Sequence, residues 1–114
     1  MNKYRTINLE EGMPTSDQAI RRLTFEINGS KRQGVVALKI IHGFGSSGTG
    51  GKIRIESRKY LRSLQNRGKI SFFIEGENLS IFNESTRRAL DICPDIRADR
   101  DLERHNNGIT VIIL

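Results

Sequence analysis

The glycine-rich loop between Gly43 and Gly51 is the stretch of this 114-residue chain whose residue types and spacing could do chemistry. An apolar run, residues 35–41, leads into the loop, and a basic segment compatible with a helix follows it. Glycine allows the backbone to approach a ligand closely, and the free amides at the start of a helix point toward the same place. The order of these segments predicts an anion-binding site, with phosphate as the expected anion.

Three side chains next to this loop allow more than one role. His42 could hold the turn as a neutral imidazole that bonds nearby backbone, or it could contact a phosphate and donate a proton during strand cleavage. Phe44 could stack on an unpaired base or fold back onto the core. Lys52 places a positive charge where the helix dipole is also positive, a conflict that a bound anion would remove.

A row of arginines follows the loop at helical spacing. Arg54, Arg58 and Arg62 are four residues apart and therefore share one side of the predicted helix, while the apolar residues of the segment share another. The row could be a solvated surface paired with Glu56. It could also be a track for a phosphate backbone that continues from the loop.

The composition favours an anionic partner. The chain has 19 Lys and Arg against 13 acidic residues, a formal charge of +6, and thirteen of the basic residues are arginine. Arginine matches phosphate well, so nucleic acid is the leading candidate, although charge alone is equally compatible with a basic protein that has no such partner. The single cysteine excludes an internal disulfide and a cysteine-based zinc site. No apolar run approaches membrane-spanning length, so we expect a cytoplasmic protein without a membrane partner.

The first half of the chain reads as strand, helix and strand. Residues 4–9 predict a short strand, and Thr15 with Gln18 fits a capping box that begins a helix. The pair Asn28-Gly29 predicts the end of that helix. The nearly continuous apolar run 35–41 predicts a strand that is buried on both faces and central in its sheet.

The second half continues the alternation. Gly68 predicts the end of the basic helix, and residues 69–74 predict the next strand. Asn83 is expected to cap a short helix that ends before Pro94. The polar stretch after Pro94 has too little apolar material for a regular element, and residues 109–114 predict a closing strand. Alternating strands and helices indicate a mixed sheet covered by helices, in one domain.

Two nucleotide-binding motifs fit the loop poorly. A Walker A loop requires G-x-x-x-x-G-K-[ST], but here Ile53 follows Lys52, and Ser46 occupies the position of the first glycine. The run GFGSSG from Gly43 is a literal dinucleotide fingerprint, and Glu75 ends the next strand. The chain, however, has fewer strands than a full dinucleotide-binding sheet needs.

The run IIHGFG from residue 40, the glycine-rich loop, the helix after it and the terminal strand together resemble the Smr domain, the small MutS-related module. The resemblance covers most of the chain up to Leu114, and residues 79–107 resemble an extension found in some bacterial stand-alone members. It implies a single α/β domain over residues 1–114. The implied fold is a two-layer sandwich, a four-stranded mixed sheet with helices on one face, similar to the C-terminal domain of translation initiation factor three.

The same resemblance implies nucleic-acid binding, and in some members an endonuclease that nicks DNA or cleaves RNA. By position, His42, Gly43 and Gly45 match the family motif HGxG. The family motif LDLH falls at residues 7–10, where Asn8 and Glu10 replace the aspartate and the histidine. Asn8 cannot act as a general base, so the residues favour binding over cleavage.

The resulting hypothesis is a monomeric domain that binds RNA or structured DNA without a resident metal or cofactor. Its affinity is expected to be mainly electrostatic. The predicted contacts are the residues of the loop and of the basic helix: Gly43, Phe44, Gly45, Ser46, Gly48, Gly50, Gly51, Lys52, Arg54, Arg58 and Arg62.

Three alternatives remain open. The chain could be an endonuclease with His42 and Glu10 as catalytic residues; a divalent metal could then bind Glu75 and Glu77 together with Glu10 or Glu11. It could instead be a protein-interaction module whose basic side meets an acidic partner. The terminal strand, if it lies at the edge of the sheet, could also pair with a second copy.

Overall fold

The structure is a computed structural model that describes residues 3–44 and 49–114. Within those residues no helix is long and apolar enough to span a membrane. The helices and strands alternate along the chain as predicted. In order, they are β1 (Tyr4–Asn8), α1 (Ser16–Arg32), β2 (Ala37–Ile41), α2 (Thr49–Asn66), β3 (Phe72–Glu75), α3 (Glu84–Ile92) and β4 (Ile109–Ile113).

The four strands form one mixed sheet in the order β1-β2-β4-β3. Strand β1 is parallel to β2, and β4 is antiparallel to both β2 and β3. The prediction that residues 35–41 contain a central strand is confirmed. The expectation that the terminal strand could pair with a second copy is wrong, because β4 lies between two partners and all five of its residues are buried.

Helices α1 and α2 cover one face of the sheet. Leu38, Ile40 and Ile112 of the interior strands are buried there in one cluster with Leu23 of α1 and Leu61 of α2. These positions alternate along each strand with residues on the opposite face, as the pleat of a sheet requires. This packing therefore positions α2, and with it the basic side chains of that helix, beside the sheet.

The second face of the sheet is also covered, by α3 and the short 3₁₀ helix that follows it, Pro94–Ala98. Leu90 and Ile96 pack there against Val111 and Ile113 of β4. The expected fold class is confirmed, an α/β fold with a four-stranded mixed sheet, but the helices are not confined to one face. The reason is that β2 and β4 are apolar on both sides, and both apolar surfaces must be buried.

The ends of α1 show where local patterns succeed and where they fail. The predicted capping box is present: the Gln18 amide donates to Thr15 Oγ1 at 3.1 Å, and Gln18 Oε1 accepts the Thr15 amide at 2.9 Å. The predicted end at Asn28-Gly29 is wrong, because the helix continues to Arg32. Gly34, with φ of 76°, supplies the left-handed conformation that terminates the helix.

The second half of the chain follows the predicted pattern with one shift. Asn83 caps α3 by accepting the amide of Thr86 at 3.0 Å, and Pro94 begins the next 3₁₀ helix, so both predictions are confirmed. Strand β3 begins at Phe72 rather than at residue 69. The intervening residues form a bend in which Lys69 donates its amide to Leu64 at the end of α2.

Candidate functional site

One edge of the sheet brings together the residues that the sequence singled out. Since β1, β2 and β3 run in one direction and β4 runs in the other, the carboxyl ends of three strands meet the amino end of β4. We call this the carboxyl edge; it consists of residues 9–12, 42–44, 76–78 and 106–108. In α/β sheets, ligands commonly bind outside the carboxyl ends of the strands.

His42 is fully buried at the carboxyl edge, and both of its ring nitrogens are hydrogen-bonded. Nδ1 lies 2.8 Å from the carbonyl of Gly43, and Nε2 lies 2.8 Å from Thr110 Oγ1. Arg58 Nε donates to the same hydroxyl oxygen at 3.1 Å. The Gly43 carbonyl can only accept, so the neutral His42 ring carries its proton on Nδ1, and its Nε2 accepts the hydroxyl proton of Thr110. We call this directed chain, Arg58 to Thr110 to His42 to Gly43, the His42 relay.

Burial keeps His42 neutral. Burial lowers the pKa of His42 to about 4, and the positive charges of Arg58 and Arg54 act in the same direction, while the bond to the Gly43 carbonyl opposes them. The one lone pair of the neutral ring is occupied by Thr110. Of the two roles weighed for His42, the geometry favours that of a neutral imidazole that shapes the turn.

The Arg58 side chain, unlike those of Arg54 and Arg62, extends toward the end of β3 and is largely buried. Its guanidinium donates to both oxygens of Glu77, at 2.9 and 2.7 Å, and to Glu75 at 3.0 Å. Only 12% of its side chain is exposed. Arg58 is therefore not part of a solvated row with Arg54 and Arg62, and its predicted contact with a phosphate stays a prediction. Its acidic partners are Glu75 and Glu77 of the β3 end rather than Glu56 of its own helix.

The same contacts change the interpretation of the acidic residues. The endonuclease alternative uses Glu75 and Glu77 as metal ligands, but in the structure both bind the Arg58 guanidinium. Burial raises the pKa of Glu77, yet the hydrogen bonds from Arg58 outweigh it and hold that pKa below its usual value. Among residues 3–44 and 49–114, no group of three metal-ligating side chains could hold an ion.

Glu10 lies directly over Gly43. A Cβ added at Gly43 would meet the Glu10 carboxylate, and the φ of 73° at Gly43 is a left-handed conformation that favours glycine. Asn8 Oδ1 accepts the amide of Glu10 at 2.9 Å and fixes the turn that directs Glu10 toward Gly43. The two residues predicted as catalytic, Glu10 and His42, therefore lie on either side of the same glycine.

The other side chains predicted to contact nucleic acid are Phe44, in the edge itself, and three basic residues of α2, the helix that follows it in the chain. Phe44 is 56% exposed, so the alternative in which it folds back onto the core is wrong. Lys52 and Arg62 are exposed, and Arg54 is partly exposed. We call Lys52, Arg54 and Arg62 the α2 cations.

The loop itself is shorter than predicted. Helix α2 begins at Thr49, so Gly50 and Gly51 belong to its first turn rather than to the loop. Three of the predicted contacts lie outside the described residues: Gly45, Ser46 and Gly48. They remain predictions.

A second buried ionic cluster lies on the opposite face, and sequence reasoning missed it. Lys39 of β2 is 8% exposed on its side chain and binds Asp99 at 2.8 Å and Asp101 at 2.5 Å. Tyr4 donates its hydroxyl to Asp99 at 2.6 Å. The signal was present in the sequence, because a lysine inside an otherwise apolar strand requires an acidic partner.

Comparisons with known proteins agree with this architecture. No family model matches the sequence, and no curated protein matches it. Among solved structures, the crystal structure of the Smr domain of Thermus thermophilus MutS2 is similar, with a TM-score of 0.59 over 96% of this chain and 96% of that chain. The protein has the Smr fold. At 18% identity this similarity shows the fold alone and carries no information on the chemistry of the site.

Proposed function

We propose that this protein is a nucleic-acid-binding domain, for RNA or structured DNA, that contacts phosphates through the carboxyl edge and the α2 cations. The observation that carries the proposal is the position of Lys52, Arg54 and Arg62. They belong to the helix that follows the edge residue Phe44 in the chain, and within residues 3–44 and 49–114 they form no ion pair, whereas Arg58 is paired with Glu75 and Glu77. Uncompensated cations beside a strand-end turn are a surface suited to a phosphate backbone.

The distribution of charge supports this orientation. From residue 49 to residue 69, α2 and the turn after it contain seven basic residues and one acidic residue. Residues 79–107, which cover the second face, contain five basic and six acidic residues. The field of the protein therefore directs a polyanion to the α2 side.

Two features next to the α2 cations add to the surface. The exposed ring of Phe44 can stack on an unpaired base, a contact worth about 1 to 3 kcal/mol per base. The first amides of α2 lack partners within the helix and can donate to a phosphate oxygen. The loop from Gly45 to Gly48 is proposed to complete this contact.

Binding is favoured over cleavage because the candidate general base is not available. His42 is buried, and its lone pair accepts from Thr110. Asn8, at the position of the family's aspartate, uses its side-chain oxygen to hold the Glu10 turn. An endonuclease remains the second candidate, since Glu10 and His42 both lie beside Gly43 and a rearrangement of the His42 relay would expose them together.

The test is a titration of end-labelled single-stranded RNA and branched DNA at about 50 and 200 mM salt, with and without Mg²⁺. Wild type is expected to give salt-sensitive binding without product. The variant Lys52→Ala/Arg54→Ala should bind at least about tenfold more weakly, and its salt dependence should lose about one unit of slope for each phosphate contact removed.

The control is Arg97→Ala/Arg100→Ala, which removes the same charge from exposed positions after α3. Its affinity should stay close to that of wild type. Binding that is insensitive to salt, or is weakened equally by both variants, would contradict the proposal. Discrete products that vanish in Glu10→Gln would establish the endonuclease instead.

A further inference from the structure

The outer side of β3 borders a polar cleft of about 370 Å³ between α2 and the start of α3. We call it the β3 cleft. Its walls include Arg62, Gln65 and Asn66 of α2, Phe73 and Glu75 of β3, and Asn78. The volume lies in the range of about 300 to 1,000 Å³ that is usual for small-ligand sites. Through Arg62 and Glu75 the cleft adjoins the α2 cations and the carboxyl edge.

The cleft is rich in side-chain amides that have no partner. Gln65, Asn66 and Asn78 are exposed, and within the described part of the chain their amide groups make no hydrogen bond. Each amide offers a donor and an acceptor side by side, the pattern that complements the edge of a nucleobase. Glu75 gives one oxygen to Arg58, and its other oxygen accepts no hydrogen bond from the described residues. A free carboxylate oxygen is suited to accept from the amino group of a base.

Two flat groups lie at the same place. The Arg62 guanidinium lies over the Phe73 ring, 6.0 Å from its centroid. Guanidinium planes and aromatic rings are the groups on which proteins stack unpaired bases. The cleft therefore combines a stacking surface with hydrogen-bonding groups at its rim.

The position of β3 favours a base over a peptide strand. Strand β3 is outermost in the sheet and, among the described strands, pairs with β4 alone, and Phe73, Ile74 and Glu75 of β3 line the cleft. It is four residues long, which gives an added peptide strand little backbone to pair with. A single base needs only two or three of these groups.

We propose that the β3 cleft binds one unpaired nucleobase of the bound strand and prefers a base with an exocyclic amino group. The inference rests on the proposed function, since the phosphates beside that base would lie on the α2 cations. Because a paired base cannot enter the cleft, the preferred ligand is a single strand or an unpaired segment. Cytosine and uracil are the sharpest comparison, since cytosine presents an amino group where uracil presents a carbonyl oxygen.

The experiment compares oligonucleotides of about 12 residues that carry only cytosine, only uracil or no base at all. Wild type is expected to bind the cytosine strand about fivefold or more tightly than the uracil strand, and both more tightly than the abasic strand. Gln65→Ala/Asn78→Ala removes amides that would hold the base beside Glu75, so the preference for cytosine should fall below about twofold. Its affinity for the abasic strand and its salt dependence should not change.

The control variant is Asn28→Ala/Gln33→Ala, which removes two exposed amides outside the cleft and should keep the preference. A parallel titration with cytidine and uridine 5′-monophosphates follows the side-chain amide NMR signals of Gln65, Asn66 and Asn78. These signals should move with cytidine monophosphate.

Equal affinity for all three strands, or an unchanged preference in the cleft variant, would overturn the inference and leave the proposed function standing. Monophosphate shifts at the cleft without binding of any oligonucleotide would support the cleft and overturn the proposed function. Cleft signals that move on dilution of the protein alone would mean that a second copy occupies the site, which would also overturn the inference.

Discussion

Arg58 determines the conformation of the carboxyl edge because one guanidinium joins several parts of the chain. From α2 it reaches Glu75 and Glu77 at the end of β3. It also donates to the backbone carbonyls of Asn107 and Ile109, at 3.4 and 3.2 Å, where β4 begins. Charge-assisted and bidentate hydrogen bonds of this kind are strong and fix geometry. Arg58 therefore holds the ends of α2, β3 and β4 in position at the site.

The variant Arg58→Ala is expected to lower the free energy of unfolding by about 2 to 4 kcal/mol, because it leaves two carboxylates and the carbonyls before β4 without donors. Arg58→Lys keeps the charge but cannot make the forked contact, so its loss should be intermediate. Urea denaturation followed by circular dichroism measures both. The matched control is Arg54→Ala on the same helix, which should change the stability by no more than about 0.5 kcal/mol. Equal midpoints for the two alanine variants would contradict the role assigned to Arg58.

The start of a helix was predictable from the sequence where the capping side chain and the backbone amide that it binds are close in the chain. Thr15 with Gln18, and Asn83 with Thr86, are three residues apart, so a local pattern reveals them. The end of α1 was missed because a helix tolerates Gly29 in ordinary helical conformation, and only tertiary packing decides where it stops.

The candidate site was predictable in part, for the same physical reason. The run from His42 to Phe44 identified the turn, since a short motif carries its own geometry. The burial of His42 depends on Thr110, 68 residues away, and no spacing within the motif contains that information. Likewise, the partner of Lys39 lies 60 residues further along the chain.

Lys39 connects β2 to the irregular segment after α3, and its substitution tests how that segment is held. Lys39→Met would leave Asp99 and Asp101 without their cation on the second face, and about 3 to 5 kcal/mol of stability should be lost. In the wild-type protein the amides of Asp101 and Leu102 donate to Asp99, and native-state hydrogen exchange should show that they exchange faster in the variant. The amides of β4 should exchange at the rate set by global unfolding. Unchanged protection at Asp101 would show that the segment is held by its apolar contacts alone.

The two faces of the sheet differ in charge as well as in structure. The α1 and α2 face ends in the carboxyl edge and adjoins the α2 cations, whereas the second face buries its one lysine with two aspartates. Among the described residues the α2 cations form no ion pair, so the proposed binding of a polyanion would take place on the α2 side. The same ionic clusters make the whole fold sensitive to acid, because each depends on a particular protonation state.

The free energy of unfolding should fall with acidity in two stages. The unfolded chain binds a proton at His42 near pH 6.5, but the folded chain does so only near pH 4. Between these values the unfolded state holds more protons, so the stability present above pH 6.5 is lost as the pH falls, by roughly 3 kcal/mol at most. The second stage of the loss of stability comes from Glu77 and Asp101. Burial raises both pKa values, but hydrogen bonds from Arg58 and Lys39 hold them below their usual range, so their contribution is lost at still lower pH.

The variant His42→Gln separates the stages. Glutamine can still accept from Thr110 and donate to a carbonyl, but it does not titrate, so the decline in stability between about pH 6.5 and 4 should be largely removed while the decline at lower pH remains. Urea midpoints are measured across this range for wild type and variant. The other histidine, His105, is present in both proteins, so it does not account for a difference between them. If the two proteins lose stability in parallel through the first stage, the folded protein does not hold His42 neutral over this range. His42 could then exchange a proton with a ligand near neutral pH, and the endonuclease would become the stronger candidate.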